Sequence, residues 1–268
     1  MKTHQQGLVA RILVLLYGAI CYLIFFATFL YALGFVGNFV VPKAIDSRPA
    51  DPLWLALAVD MALLAVFAVQ HSAMARPAFK RGLTRFIPEA MERSTYVLLS
   101  SLALLLLFWQ WRPMGGTVWN VMNPLGRGLL HGGFAFGWLL VLVTTFLINH
   151  FDLFGLRQVW TFFRGAAYVP MKFVTPGPYK LVRHPLYVGW LCAFWCAPTM
   201  TVAHLVFALA TTAYILIAIR LEERDLIAVH GQDYIGYRER TPMLVPALGA
   251  RPPSPSESGV AAAPASRR

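Results

Sequence analysis

LYVGWLCAFWCAPTMTVAHLVFALATTAYILIAI, residues 186–219, runs for 34 residues without an Asp, Glu, Lys or Arg. As one helix it would rise ~51 Å at ~1.5 Å per residue, well past a hydrocarbon core of ~30 Å. Pro198, with Thr199 and Thr201 beside it, interrupts the run, because proline removes a backbone donor and clashes with the preceding turn. Two helices are therefore predicted, about 186–197 and 201–219, folded into a hairpin within the membrane.

The rest of the chain agrees with that environment. Of 268 residues 58% are apolar and 13% charged, and mean hydropathy is +0.59. Runs near 12–33, 53–70, 94–111 and 129–149 each approach the roughly 20 residues that cross a bilayer. The first continues to about residue 33 with no small-residue cleavage site, so it reads as a retained span and not a signal peptide. The predicted fold is all-α: a polytopic integral membrane helical bundle of about five to six membrane helices, closed by the C-terminal hairpin.

Charge fixes the orientation. The net charge is +11, but the 23 Lys and Arg lie almost wholly between apolar runs. That is the pattern of loops held at a cytoplasmic face, so the partner implied is the lipid bilayer and no nucleic acid is expected. Segments 71–93 and 150–185 are basic, carrying among others Arg76, Lys80, Arg81, Arg157 and Arg164, whereas 42–52 and 112–128 hold two basic residues each. The first two segments, the N-terminus and the returning segment 220–250 are placed in the cytoplasm. Trp109, Trp111, Trp119, Trp138 and Trp160 fall near span ends, as an interfacial aromatic belt would place them. Cys21, Cys192 and Cys196 sit inside apolar runs as small hydrophobes, and no metal is expected. The tail 251–268, RPPSPSESGVAAAPASRR, has no periodic apolar face and is predicted to be disordered.

At the mouth of the hairpin stands VRHPLYVG (182–189). Pro185 suits the first position of a helix, where its missing N–H would be unpaired, and it pushes His184 toward extended geometry. The helix N-terminus with Arg183 beside it suits a carboxylate or phosphate. Tyr187 lies in the same turn, Gly189 leaves room for a ligand to approach the backbone, and TPGPYK (175–180) delivers Tyr179 to the same entrance. If the hairpin holds, Glu222 and Glu223 of RLEERDL (220–226) emerge at the same depth, and HGQDYIGYRERTP (230–242) adds Tyr234 and Tyr237 as cover for an adenine ring. A blander reading of Arg183 and Tyr187 is that they are interface anchors.

GPYKLVRHPLYVG, then EERDL, then GQDYIGYRERTPMLVP resembles the C-terminal half of the isoprenylcysteine carboxyl methyltransferase and phospholipid methyltransferase superfamily. Upstream, VQHSAMARPAFK (69–80), ERSTYVLLSSLALLLLFWQWRP (92–113) and INHFDLFGLRQVW (148–160) resemble its NnrU-related branch. The resemblance covers about residues 8 to 248. It implies one membrane methyltransferase domain over 1–250, with an N-terminal bundle at about 8–150 and a part that binds the co-substrate S-adenosylmethionine at about 168–248. It further implies a bacterial inner membrane and methyl transfer to a small volatile thiol, methanethiol, giving dimethyl sulfide. Tyr179, Arg183, His184, Tyr187, Glu222, Glu223 and Tyr234 become the expected cofactor-binding set.

Methyl transfer from a sulfonium needs an aligned, desolvated nucleophile, and a thiol must also lose its proton. Gln70, His71, Asn149 and His150 stand at the cytoplasmic ends of spans and form the expected substrate-binding set, with His71, His150 and Tyr187 as catalytic candidates. Both histidines also read as helix caps that meet headgroups. Two alternatives stay open: a membrane methyltransferase acting on another small thiol, an isoprenylcysteine or a lipid, and an electron-transfer subunit in which His71 and His150 ligate haem. A soluble Gly-rich nucleotide motif is absent, since the glycines of GRGLLHGG (126–133) open a predicted membrane helix instead of following a strand.

Overall fold

The computed structural model describes residues 7–171 and 173–246; the predicted disordered tail lies outside them. Ten α-helices and two short strands follow in chain order. They are α1 (Leu8–Gly37), α2 (Leu53–Ala75), α3 (Pro77–Leu83), α4 (Glu89–Gln110), β1 (Thr117–Asn120), α5 (Pro124–Ile148), α6 (His150–Leu153), α7 (Leu156–Phe163), α8 (Pro185–Trp195), β2 (Thr199–Thr201), α9 (Val202–His230) and α10 (Gln232–Arg240). Five of these, α1, α2, α4, α5 and α9, are long and apolar enough to cross a membrane, and the protein is a polytopic membrane bundle.

The boundaries have local causes. Pro52 and Pro88 precede α2 and α4, and Glu89 and Glu92 place negative charge in the first turn of α4, where the helix dipole favours it. Asn123 caps α5 by accepting the Gly126 N–H at 3.1 Å. Asn38 ends α1 in the left-handed region at φ 59°.

The hairpin is present, and its two arms differ in form. Helix α8 has only 11 residues, ~16 Å of rise. The chain then leaves the helix through a tight turn in which the Ala197 N–H donates to the Trp195 carbonyl at 2.9 Å, and it enters strand β2 directly before α9. Strand β2 pairs antiparallel with β1, Asn120 opposite Thr199 and Thr117 opposite Thr201. This small sheet closes the end of the bundle remote from His184.

At that remote end lies the aromatic core of Phe35, Phe108, Trp111, Phe194 and Phe207, with Trp138. Trp111 is fully buried and donates its indole N–H to the Ile45 carbonyl at 3.1 Å. Trp111 and Trp138 are thus core residues, unlike the exposed Trp109 and Trp160, which fit a belt. Asp60, buried in α2, accepts the backbone N–H of Arg112 at 2.8 Å just after α4 ends.

Helix α1 packs on α4 and α7, α2 on α4 and α9, and α5 on α8. The α5–α8 contact runs through Gly137 and Gly189. A Cβ on Gly189 would lie 2.8 Å from the Gly137 carbonyl oxygen. Gly189 therefore serves helix packing, a correction to its expected role in admitting a ligand, and small residues of this kind let membrane helices approach closely.

One carboxylate braces the remote end. Asp46 accepts from the Asn38 amide at 2.7 Å and from the Thr201 hydroxyl, and His204 Nδ1 lies 3.7 Å away. Thr201 in turn accepts the His204 backbone N–H at 3.1 Å and so caps α9. Burial alone would raise the Asp46 carboxyl, but His204, Thr201 and Asn38 outweigh it and hold the group below its ordinary value. The stability it contributes is complete above the unfolded aspartate value of about 3.9 and is lost as pH falls through the lower folded value. Thermal melting in detergent should show Asp46→Asn less stable than wild type at pH 7 by about 1–3 kcal/mol, with the gap closing as the medium is acidified. An equal gap at every pH would contradict this account.

Candidate active site

At the opposite end, the start of α8 meets the far part of α9. His184 precedes α8 with φ −125° and ψ 61°, and Pro185 occupies the first helical position. Helix α9 continues beyond the expected end at 219 to His230, so Glu222 and Glu223 are carried on a rigid helix. The two acidic residues flank His184, with Nε2 near Glu223 and Nδ1 3.9 Å from Glu222 Oε2. Glu223 Oε1 accepts from Arg183 Nε at 2.7 Å and pairs with His184 Nε2 at 3.0 Å. Glu222 Oε2 accepts the Tyr187 hydroxyl at 2.9 Å.

The segment after α9 folds back over this contact. Gly231, at φ 56°, turns the chain into α10. Arg183 Nη1 donates to the carbonyls of Arg238 at 3.0 Å and Thr241 at 2.5 Å. The backbone N–H groups of Arg183 and His184 donate to Pro242 and Met243. Most hydrogen-bonding capacity of Arg183 is therefore spent inside the protein, as are the backbone N–H groups of Arg183 and His184 that precede the first turn of α8. Tyr237 donates to the Tyr179 carbonyl at 2.6 Å, and Phe173 packs edge-on against Tyr234 and Tyr237. Tyr234 is buried, and its hydroxyl has no partner among the described residues. Burial pushes the Tyr237 hydroxyl up to about 12, and burial, then the nearby carboxylates, raise Tyr234 and Tyr179 further. All three are neutral donors at physiological pH.

A second polar cluster sits between α2, α4 and α9. His71 stacks on Phe67 and is flanked by Tyr96 and Ser100. The Tyr96 hydroxyl lies 2.8 Å from Nε2 and 3.1 Å from Nδ1, and Ser100 Oγ lies 3.2 Å from Nδ1. Gln70 donates to Ser100 at 3.4 Å, and Tyr214 of α9 meets Ser72 at 3.1 Å. The end of α2 that carries this cluster is tied to α9 near the acidic pair by the Arg76–Asp225 ion pair at 2.9 Å. Sequence reasoning missed Tyr96 and Tyr214, because each is one tyrosine within an apolar run.

The other candidates are placed elsewhere. His150 is buried, with Nε2 2.8 Å from the Tyr22 hydroxyl and Nδ1 2.9 Å from Thr145. Phe146 stacks on it at 4.2 Å and Phe154 packs at 4.7 Å, and burial lowers its pKa. None of these partners is shared with His71. Asn149 caps α6 by accepting the Asp152 N–H at 3.1 Å, and Asp152 is engaged by Arg157 and Tyr168. With the ring nitrogens of both histidines facing hydroxyls, nothing here favours haem ligation. Among the described residues no group of three or more His, Cys, Asp or Glu has metal-binding geometry.

No protein-family model matches the chain, and no solved structure matches it. Curated relatives do. The chain is 56% identical over 250 residues to a methanethiol S-methyltransferase of Crocosphaera subtropica, covering 93% of this chain and 98% of that one. It is 52% identical over 236 residues to the enzyme of that name from Mycobacterium tuberculosis, covering 88% and 97%. A more distant likeness, 32% identity over 188 residues, joins it to Nurim of Mus musculus, over 66% of this chain and 70% of that protein. The chain belongs to the methanethiol S-methyltransferase family.

Proposed function

We infer that the protein transfers a methyl group from S-adenosylmethionine to methanethiol, releasing dimethyl sulfide and S-adenosylhomocysteine. The reaction takes place at the cytoplasmic face of a bacterial inner membrane, where both termini also lie. The observation that carries this reading is the convergence of the α8 mouth, the α9 carboxylates and the His71 cluster, in a chain whose relatives over nearly its whole length bear that enzyme name.

The residues fit the methyl donor. Glu222 is 47% exposed with one oxygen bonded to Tyr187, which leaves acceptor capacity for hydroxyl or ammonium groups. The buried, unpartnered Tyr234 hydroxyl supports a polar ligand atom there, and the half-buried Tyr179 and Tyr237 supply aromatic surface for a purine. Arg183, His184 and Glu223 are the frame that fixes α8, α9 and the returning segment around these groups. When bound, the donor supplies a methyl group already activated on a positively charged sulfur. The protein's tasks are then to align the thiol behind that methyl, exclude water and accept the thiol proton. His71 is assigned the last task. His150, enclosed by aromatic rings and hydroxyls, is assigned to packing.

The competing substrates separate in one experiment. Detergent-purified protein is given donor labelled in its methyl group, together with methanethiol, a longer alkyl thiol, an isoprenylcysteine analogue and phospholipid. Label should appear in volatile sulfide, with methanethiol preferred. Label in the lipid fraction or on the isoprenylcysteine analogue would overturn the substrate assignment.

A further inference from the structure

From Arg76 to Ile87 the chain carries four basic residues and no acidic one, and the fold holds this connection between α2 and α4 as an ordered surface. Arg76 ends α2 and opens α3, with Pro77 at the first helical position. The Thr84 hydroxyl closes α3 by donating to the Lys80 carbonyl at 3.0 Å. The Phe86 and Ile87 N–H groups then donate to the Leu83 carbonyl, and Pro88 leads into α4.

The basic groups differ in how far the protein uses them. Arg76 is spent internally, on Asp225 of α9 at 2.9 Å and on the Ser72 carbonyl at 3.2 Å. Lys80 is loosely held, 3.9 Å from Glu92. Arg81 and Arg85 are exposed, and neither forms an ion pair among the described residues. Beside them Phe86 is 87% exposed and Phe79 42% exposed. The connection leaves one span and enters the next through a single short helix and a turn, so it stays close to the membrane surface. There aromatic rings enter the headgroup layer and clustered cations meet anionic lipid.

We propose that the α3 surface seats the headgroup of an anionic phospholipid. Lys80, Arg81 and Arg85 bind its phosphate, and Phe79 and Phe86 enter the lipid beside it. Charge complementarity and the bare rings together select this occupant: a free phosphate would satisfy the cations and leave the rings in water. The contact also bears on the interior. Arg76 ties the same segment to α9 two residues beyond Glu223, so a lipid seated on α3 steadies the end of α2, which carries His71, against α9.

The test is a calorimetric titration of detergent-purified protein with short-chain phosphatidylglycerol, short-chain phosphatidylcholine and glycerol 1-phosphate, at low and high salt. Wild type should bind phosphatidylglycerol more tightly than either control, with an affinity that falls as salt screens the charges. Arg81→Gln and Arg85→Gln should each weaken that binding about fivefold, the equivalent of ~1 kcal/mol per basic residue. Phe86→Ser should weaken it by the same factor at both salt concentrations. Melting temperature without lipid should match wild type in all three variants, since the side chains replaced are exposed. Equal affinity for the two lipids, or unchanged phosphatidylglycerol affinity in the double variant Arg81→Gln/Arg85→Gln, would overturn the proposal. Glycerol 1-phosphate bound as tightly as the lipid would also overturn it, leaving a site for free phosphate. None of these readouts uses methanethiol or the methyl donor, so the enzyme assignment stands or falls separately.

Discussion

Glu223→Ala should lower stability by about 3 kcal/mol, near the low end of what breaking a buried ion pair costs, and should abolish binding of the methyl donor. The Arg183 and Glu223 side chains are only 12% and 13% exposed, and His184 is 4% exposed. Removing the carboxylate strands a guanidinium and an imidazole that share one oxygen. It also loosens the link from α9 to α8 and, through Arg183, to the segment at Arg238 and Thr241. Glu222→Ala is the informative comparison. That side chain is 47% exposed, accepts from Tyr187 and lies 3.9 Å from His184 Nδ1, so its stability cost should stay under about 1 kcal/mol, yet donor affinity should fall. Melting temperature in detergent and calorimetric titration with S-adenosylhomocysteine read the two effects separately. A Glu223→Ala protein that melts like wild type would contradict the framing role.

Gly137→Val should cause a comparably severe loss far from any charged group. A Cβ at this position lies 2.6 Å from both the Ala193 backbone nitrogen and the Gly189 carbonyl oxygen. Backbone cannot rotate away as a flexible side chain can, so α5 and α8 must separate. Overpacking costs about 1–3 kcal/mol even where side chains can adjust, and here the whole of α8 shifts. Its first turn carries Tyr187, so activity should be lost along with stability. Gly132→Val on the same helix meets nothing within 4 Å and should behave as wild type. Monodispersity after size-exclusion chromatography, together with dimethyl sulfide production, distinguishes the pair; equal behaviour of the two variants would refute the close-packing account.

Much of the architecture was legible because hydropathy and span length are one-dimensional properties. The four N-terminal spans and the break near Pro198 follow from them. The two strands escaped because they are four and three residues long and their pairing depends on contact between distant loops. The end of α9 escaped because RLEERDLIAVH is polar, and the apolar run stops well before the helix does. Among site residues, Arg183, His184, Tyr187 and the two glutamates were readable as local motifs that a hairpin would bring together. The division of labour between Glu222 and Glu223 was not, since which carboxylate is buried depends on how α9 is rotated against α8. Tyr96 was invisible for the same kind of reason: its meaning comes from His71, 25 residues away on another helix. His150 shows the converse, a histidine at a suggestive depth whose contacts, to Tyr22, Thr145 and Phe146, are separate from those of His71.

The central claim, that the α8–α9 mouth holds the methyl donor while the His71 cluster serves the thiol, is tested most directly by one paired measurement. Wild type, Glu222→Gln and His71→Phe are incubated in sealed vials with S-adenosylmethionine and methanethiol, headspace dimethyl sulfide is quantified, and S-adenosylhomocysteine affinity is measured on the same preparations. The account requires sulfide from wild type, loss of both sulfide and affinity in Glu222→Gln, and loss of sulfide with affinity retained in His71→Phe. Full activity in His71→Phe, or unchanged affinity in Glu222→Gln, would contradict it.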